Sequence, residues 1–230
     1  MVSVIFPAAG QGRRMKVGKN KVFLELAGRP MLVHTLLRFS RIEEVEQLII
    51  AVGEAEIRSV EEMLRDVSGL KPYHITAGGS ERQYSIANAM RLVSNRADVV
   101  LVHDAARPLV SRETILGVIN AARSSGGAIA AVPEKNTVKV VSADGVVEYT
   151  PPRETLWAVQ TPQGFRRDIL FRAYQKAGED GFLGTDDASL VERLGVPVRV
   201  VKSDYRNIKV TTPEDLVIAE ALMPMCDPVE

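Results

Sequence analysis

Residues 2–15 read Val-Ser-Val-Ile-Phe-Pro-Ala-Ala-Gly-Gln-Gly-Arg-Arg-Met, a short apolar run that ends in a glycine-rich loop. Such a run, bounded by turn residues, is the pattern of a strand buried on both faces. Working outward, runs of the same kind stand at 48–52, 73–76, 99–103, 128–132 and 198–201. Helical periodicity fills the intervals near 31–39, 54–66, 81–94, 112–124, 167–176, 186–194 and 213–222. Ser80 with Gln83 three residues on predicts a capping box. Thr185 precedes Asp186 and Asp187, acids that suit a helix N-terminus. Thr212 followed by Pro213 places a cap and then proline at the first helical position. Strand–helix alternation of this kind predicts an α/β fold with a mostly parallel sheet wrapped by helices.

One segment breaks the rhythm. Residues 137–142 and 146–150 flank Ala143-Asp144-Gly145, and Asp-Gly between β-branched runs signals a hairpin. With no helix to join them, these strands cannot form a parallel crossover unit, and Pro151-Pro152 ends the pair. They read as an antiparallel arm, at about 134–155, leaving a body that otherwise spans 1–230 as one domain.

The 230 residues are 46% hydrophobic and 25% charged, enough for a sizeable core without staples. Lys plus Arg and Asp plus Glu both number 29, so the formal charge is zero. That balance argues against a chain that coats nucleic acid or anionic membrane. The single cysteine, Cys226, permits neither an intrachain disulfide nor a cysteine metal cluster. No apolar run approaches the ~18 residues of a membrane span, and the N-terminus lacks a signal-peptide pattern. The expectation is a soluble, cytoplasmic protein.

The loop after the first strand is not a dinucleotide fingerprint, because Met15 stands where the third glycine of G-x-G-x-x-G would be. Nor is it a P-loop, since Gly18-Lys19 is followed by Asn20. Between residues 7 and 24, however, stand Arg13, Arg14, Lys16, Lys19 and Lys21 and no acid. A basic pocket beside a glycine loop at a strand end suits a triphosphate; a solvated basic loop is the plainer alternative. Asp104 ends the apolar run at 99–103. A carboxylate there is a natural oxygen ligand for magnesium bridged to phosphates, or simply a turn former. His103 reads as a packed histidine rather than a base, and Trp157 and Phe165 as core or interface aromatics.

Five motifs occur together and in order: Ala-Ala-Gly-x-Gly-x-Arg-Met at the first loop, His-Asp-Ala-Ala-Arg-Pro at 103–108, Thr-Pro-Gln at 161–163, Thr-Asp-Asp-Ala at 185–188 and Asn-Ile-Lys-Val-Thr at 207–211. With them the chain resembles the 2-C-methyl-D-erythritol 4-phosphate cytidylyltransferases of non-mevalonate isoprenoid biosynthesis, essentially end to end. The resemblance implies a three-layer, Rossmann-like nucleotidyltransferase fold that binds CTP at the C-terminal edge of its sheet, with Mg2+ as cofactor. Arg14, Lys21 and Lys209 match the family's catalytic cations, and Asp104 its metal ligand and part of its nucleotide site. Pro7, Ala8, Ala9, Gly10, Gly12, Gly79, Ser80 and Ser85 match the nucleotide site. Arg107, Thr137, Arg153, Thr161 and Thr185 match positions around the methylerythritol phosphate. Thr137 and Arg153 lie on the arm, which in this family crosses to the partner of a homodimer. Asn20 departs from the family pattern, where a proline usually precedes the lysine. Taken singly, Thr185 would pass for a helix cap, Lys209 for a solvated strand lysine, Thr137 for a strand former and Arg153 for a partner of Glu148 or Glu154.

The implied chemistry is in-line attack of a phosphate monoester on the α-phosphorus of CTP. It needs no general base and is driven by positioning and charge stabilisation. The rival readings are a cytidylyltransferase for another polyol phosphate, such as ribitol 5-phosphate, and a nucleotide-binding sensor without turnover.

Overall fold

The computed structural model describes residues 1–10 and 21–226. Each apolar run becomes a strand of one seven-stranded sheet: β1 (Val2–Pro7), β4 (Val45–Val52), β5 (Tyr73–Ala77), β6 (Val99–Val102), β7 (Gly127–Pro133) and β11 (Val198–Lys202), joined by β10 (Trp157–Arg166). The order across the sheet is β11-β7-β10-β6-β1-β4-β5. A small hairpin, β2 (Glu25–Leu26) with β3 (Arg29–Pro30), precedes the first helix. Pairings β1–β4, β1–β6, β4–β5 and β7–β11 are parallel.

Strand β10, like the short β2–β3 hairpin, is not announced by the sequence pattern. It runs antiparallel between β6 and β7 in the middle of the sheet. Its register with β7 jumps from Val159↔Ala131 to Gln163↔Ile129, so residues 160–162 of β10 face the single residue Ala130. Pro162 has no N–H to give a ladder, and the irregular stretch accommodates it. Two residues on, Gly164 lies where a Cβ would come within 2.7 Å of Leu101 and 2.8 Å of Val118. The close approach of the helix above requires glycine there.

The helices are α1 (Met31–Ser40), α2 (Ile57–Leu64), α3 (Arg82–Met90), α4 (Arg112–Ser125), α5 (Arg167–Glu179), α6 (Asp187–Glu192) and α7 (Pro213–Leu222). Alternation along the strands divides six of them into two layers, while α7 packs on a smaller cluster with Leu26, Met31 and Val210. Val4 and Phe6 of β1, with Val99 and Leu101 of β6, pack on α1, α2 and α4. Ile5, Val100 and Val102 face the other way, onto α3, α5 and α6. A three-layer α/β/α body results, its two cores separated by the sheet. The cap expected at Thr212 forms: its hydroxyl accepts from Asp215 N–H, and the Asp215 carboxylate accepts from Thr212 N–H.

The hairpin is present but short. Strands β8 (Val140–Val141) and β9 (Val147–Tyr149) pair antiparallel, with Gly145 at φ 87° in the turn. The hydrophobic residues of its turn and second strand, Val146, Val147 and Tyr149, are exposed. Among the described residues no helix is long and apolar enough to cross a membrane.

Candidate active site

The C-terminal ends of β1 and β6 open into a cleft, closed on one side by the loop from β5 into α3. Pro7, Ala8, Ala9, Gly10, Gly79, Ser80, Ser85, Asp104 and Lys209 all line it. The two loops nearly touch, since a Cβ on Gly78 would stand 2.4 Å from Ala9 Cβ; one on Gly79 would stand 2.5 Å from Tyr84 Cβ of α3. Ser85 Oγ accepts from Gly79 N–H at 3.0 Å and ties the loop to the helix.

Asp104 is the electrostatic centre. Its Oδ2 lies 2.8 Å from Lys209 Nζ and 3.6 Å from Arg107 Nε, and its Oδ1 lies 3.6 Å from Arg82 Nε. Burial by itself would raise this carboxyl, but Lys209, Arg82 and Arg107 outweigh it and hold the group below the usual carboxylate range. Asp104 is therefore ionised at neutral pH and presented to the cleft as an anion.

Beneath it, Asp104 N–H donates to Thr161 Oγ1 at 3.0 Å. His103 Nε2 lies 3.1 Å from Arg107 O, and Nδ1 lies 3.2 Å from Thr161 Oγ1. Because Arg107 O can only accept, the ring proton sits on Nε2, and the Thr161 hydroxyl donates to Nδ1. His103 is fully buried and pushed down to about 3, first by burial. It is the neutral, packed histidine that the sequence suggested. Thr161 is itself buried, with its hydroxyl committed to Asp104 and His103.

Lys209 is delivered by a segment pinned from several directions. Asn207 is fully buried; its Nδ2 donates to Gln160 Oε1 at 2.9 Å and to Thr161 O at 2.8 Å, filling the irregularity in β10. Asn207 O accepts from Arg107 Nη1 at 2.7 Å, and Val210 N–H donates to Ala106 O at 2.9 Å. These bonds lay the 207–211 segment alongside 103–107, so that Lys209 and Asp104 meet.

The structure thus brings together the nucleotide-site residues with Asp104, Arg107, Thr161 and Lys209. Thr137, Arg153 and Thr185 are exposed and do not line the cleft. Gly12, Arg14 and the side chain of Lys21 lie outside the described residues. Among the described residues, no three His, Cys, Asp or Glu side chains gather as a metal cluster.

Arg82 is a cleft residue that the sequence reading did not single out. Its Nη2 lies 2.8 Å from Oδ2 of Asp187, whose side chain is wholly buried, and Tyr174 donates to Asp187 Oδ1 at 2.5 Å. A signal was available: a cation in the first turn of a helix opposes the helix dipole, and α3 has no acid there to offset it. The capping box expected at Ser80 and Gln83 does not form. The cap residue is Glu81, without a side-chain bond, because the Gln83 amide is engaged elsewhere. At α6 the cap is Asp186, which accepts from Ser189 N–H at 2.9 Å, so Thr185 is not needed for capping.

Comparison with known proteins agrees with this geometry. Residues 2–225 match the family of 2-C-methyl-D-erythritol 4-phosphate cytidylyltransferase (IspD). A relative of that name from Symbiobacterium thermophilum is 50% identical over 224 residues, 96% of this chain and 92% of that one. One from Bacillus pumilus is 48% identical over 221 residues, 96% of each. The crystal structure of 4-diphosphocytidyl-2C-methyl-D-erythritol synthase from Anaerococcus prevotii is similar with a TM-score of 0.87 at 32% identity, covering 97% of this chain and 96% of that one. The Thermus thermophilus cytidylyltransferase gives 0.79 at 35% identity, covering 96% and 98%.

Proposed function

This chain belongs to the 2-C-methyl-D-erythritol 4-phosphate cytidylyltransferase family, and from that premise we propose that it transfers a cytidylyl group from CTP to 2-C-methyl-D-erythritol 4-phosphate. Pyrophosphate is released, and the reaction is a step of non-mevalonate isoprenoid biosynthesis. The observation that carries this reading is the cleft at the strand ends. There an ionised Asp104 is ringed by Lys209, Arg107 and Arg82, beside the backbone of residues 7–10.

A phosphate oxygen of the polyol phosphate, already ionised near neutral pH, attacks the α-phosphorus of CTP. The new O–P bond forms as the bond to pyrophosphate breaks in line with it. No proton has to leave the nucleophile, so no general base is required, and the barrier comes from bringing anions together. Lys209 stabilises charge at the reacting phosphates, with Arg14 and Lys21 in the same role. Pro7, Ala8, Ala9, Gly10, Gly12, Gly79, Ser80 and Ser85 take the cytidine. Arg107 and Thr185 face the polyol phosphate, and Thr161 serves the site through Asp104.

The residues fit magnesium. That ion is commonly held by one or two carboxylates with phosphates and water completing its shell, and Asp104 offers one ionised carboxylate on the cleft wall. When bound, the ion neutralises triphosphate charge. The enzyme works as a homodimer in the cytoplasm, where Thr137 and Arg153 reach the polyol phosphate from the arm of a second copy.

Pyrophosphate release from CTP, with each of several polyol phosphates and magnesium, tests the reading. Methylerythritol phosphate should give the highest kcat/KM. Faster turnover of ribitol 5-phosphate, or none with either, would overturn it.

A further inference from the structure

Two glutamines bracket the 182–188 segment. From α3, Gln83 Nε2 donates to Phe182 O at 2.9 Å, and Gln83 Oε1 accepts from Gly184 N–H at 2.9 Å. From β10, Gln163 Nε2 donates to Asp186 Oδ2 at 2.8 Å, and its Oε1 accepts from Ala188 N–H at 3.1 Å. Each amide uses both ends, so each fixes a distance and an orientation. One residue before Gln83, Arg82 adds the ion pair to buried Asp187. The exposed Thr185 stands between these anchors, while Gly79, Ser80 and Ser85 stand at the foot of the same helix.

We infer that Gln83 is a positioning residue that, together with the Arg82–Asp187 pair, holds the Thr185 loop in register with the nucleotide-facing start of α3. This rests on the proposed function, in which Thr185 faces the polyol phosphate. The apparent capping box is the sequence trace of this bridge: the polar side chain at the second helical position leaves its own helix and spans to a segment 99 to 101 residues away. A polyol phosphate held about 1 Å out of line reacts much more slowly or binds more weakly.

Gln83→Met removes both hydrogen bonds at nearly constant volume and keeps a good helix former. The expected result is a rise of about tenfold in KM for methylerythritol phosphate, with KM for CTP within about twofold of wild type. Thr185→Ala should raise the same KM. The double variant should be no worse than Thr185→Ala alone, since Gln83 acts through Thr185. Gln83→Glu, which keeps the acceptor for Gly184 N–H, should fall between wild type and Gln83→Met, and it serves if the methionine variant does not fold. Unchanged kinetics in these variants, or effects of Gln83→Met and Thr185→Ala that multiply independently, would overturn the inference while leaving the reaction intact. A wild-type protein that releases no pyrophosphate would overturn the proposed function, and this inference with it.

Discussion

Two carboxylate oxygens at Asp104 face three cations, and that imbalance is what makes the residue useful. With Asp187, which takes Arg82 at 2.8 Å, it keeps Lys209, Arg107 and Arg82 gathered at the cleft, three cations against two carboxylates, and so leaves net positive charge for phosphates. Asp104→Asn retains the N–H bond to Thr161 and nearly the same shape, so the fold should survive while the charge is lost. Turnover should fall on the order of 10²-fold or more, and the response to magnesium should flatten. A magnesium titration that overlays on wild type would return Asp104 to the role of a turn residue. A second residue-scale prediction concerns pH. His34 is buried in α1 with Nε2 2.7 Å from Leu26 O, while Nδ1 has no hydrogen-bond partner among the described residues. Protonating Nδ1 would bury an N–H with no acceptor; burial first, then Arg29 and Arg38, lowers the group from its usual value despite the bond to Leu26. For a base lowered on folding, the unfolded chain binds the proton first, so stability falls as pH drops through about 6.5. Stability should therefore decline between pH 7.5 and 5.5 in part through this residue. Urea unfolding of His34→Gln should show a smaller decline over this range, and NMR should show the wild-type ring taking up its proton at lower pH than a free imidazole.

At the scale of elements, what could be read in the sequence was what local pattern decides. The six apolar runs and seven amphipathic stretches gave strands and helices close to their true bounds, because burial on two faces or one leaves a periodic trace. Strand β10 left none. Its middle, Gln160-Thr161-Pro162-Gln163-Gly164, lacks an apolar run and contains both a missing donor and a missing side chain. It is a strand because β6 and β7 flank it and because Asn207 satisfies Gln160 and Thr161. The site divides in the same way. The loop at 7–10 and Asp104 announce themselves at strand ends, whereas Arg82, Asn207 and Asp187 acquire their roles from partners far along the chain. Gly164 offers a test at this scale. Gly164→Ala should destabilise the protein by about 1–3 kcal/mol through overpacking against Leu101 and Val118. Denaturant melts should show the midpoint shifted with the m-value unchanged; an unshifted midpoint would mean that α4 can move away from the sheet at little cost.

For the molecule as a whole, the body and the arm obey different economies. The body buries two cores against one sheet, whereas Val141, Val146, Val147 and Tyr149 of the arm are each about half exposed or more. A lone two-stranded hairpin is marginal in water, and these side chains are what a twin arm across a two-fold axis would cover. Arg153, which donates to Lys135 O at 3.2 Å among the described residues, would then meet a polyol phosphate held beside its neighbour's Asp104. Mixing two inactive variants, Asp104→Asn and Arg153→Ala, separates the alternatives. Equal random exchange makes half the dimers mixed. In each of these, the site that keeps Asp104 receives an intact arm, while the other site carries both lesions. One site of two in half the dimers returns roughly a quarter of wild-type activity. An arm that serves its own subunit leaves every site in the mixture with a lesion. Activity that stays at the level of the separate variants, once mass spectrometry of differently tagged subunits shows exchange to be complete, would therefore assign the arm to its own active site.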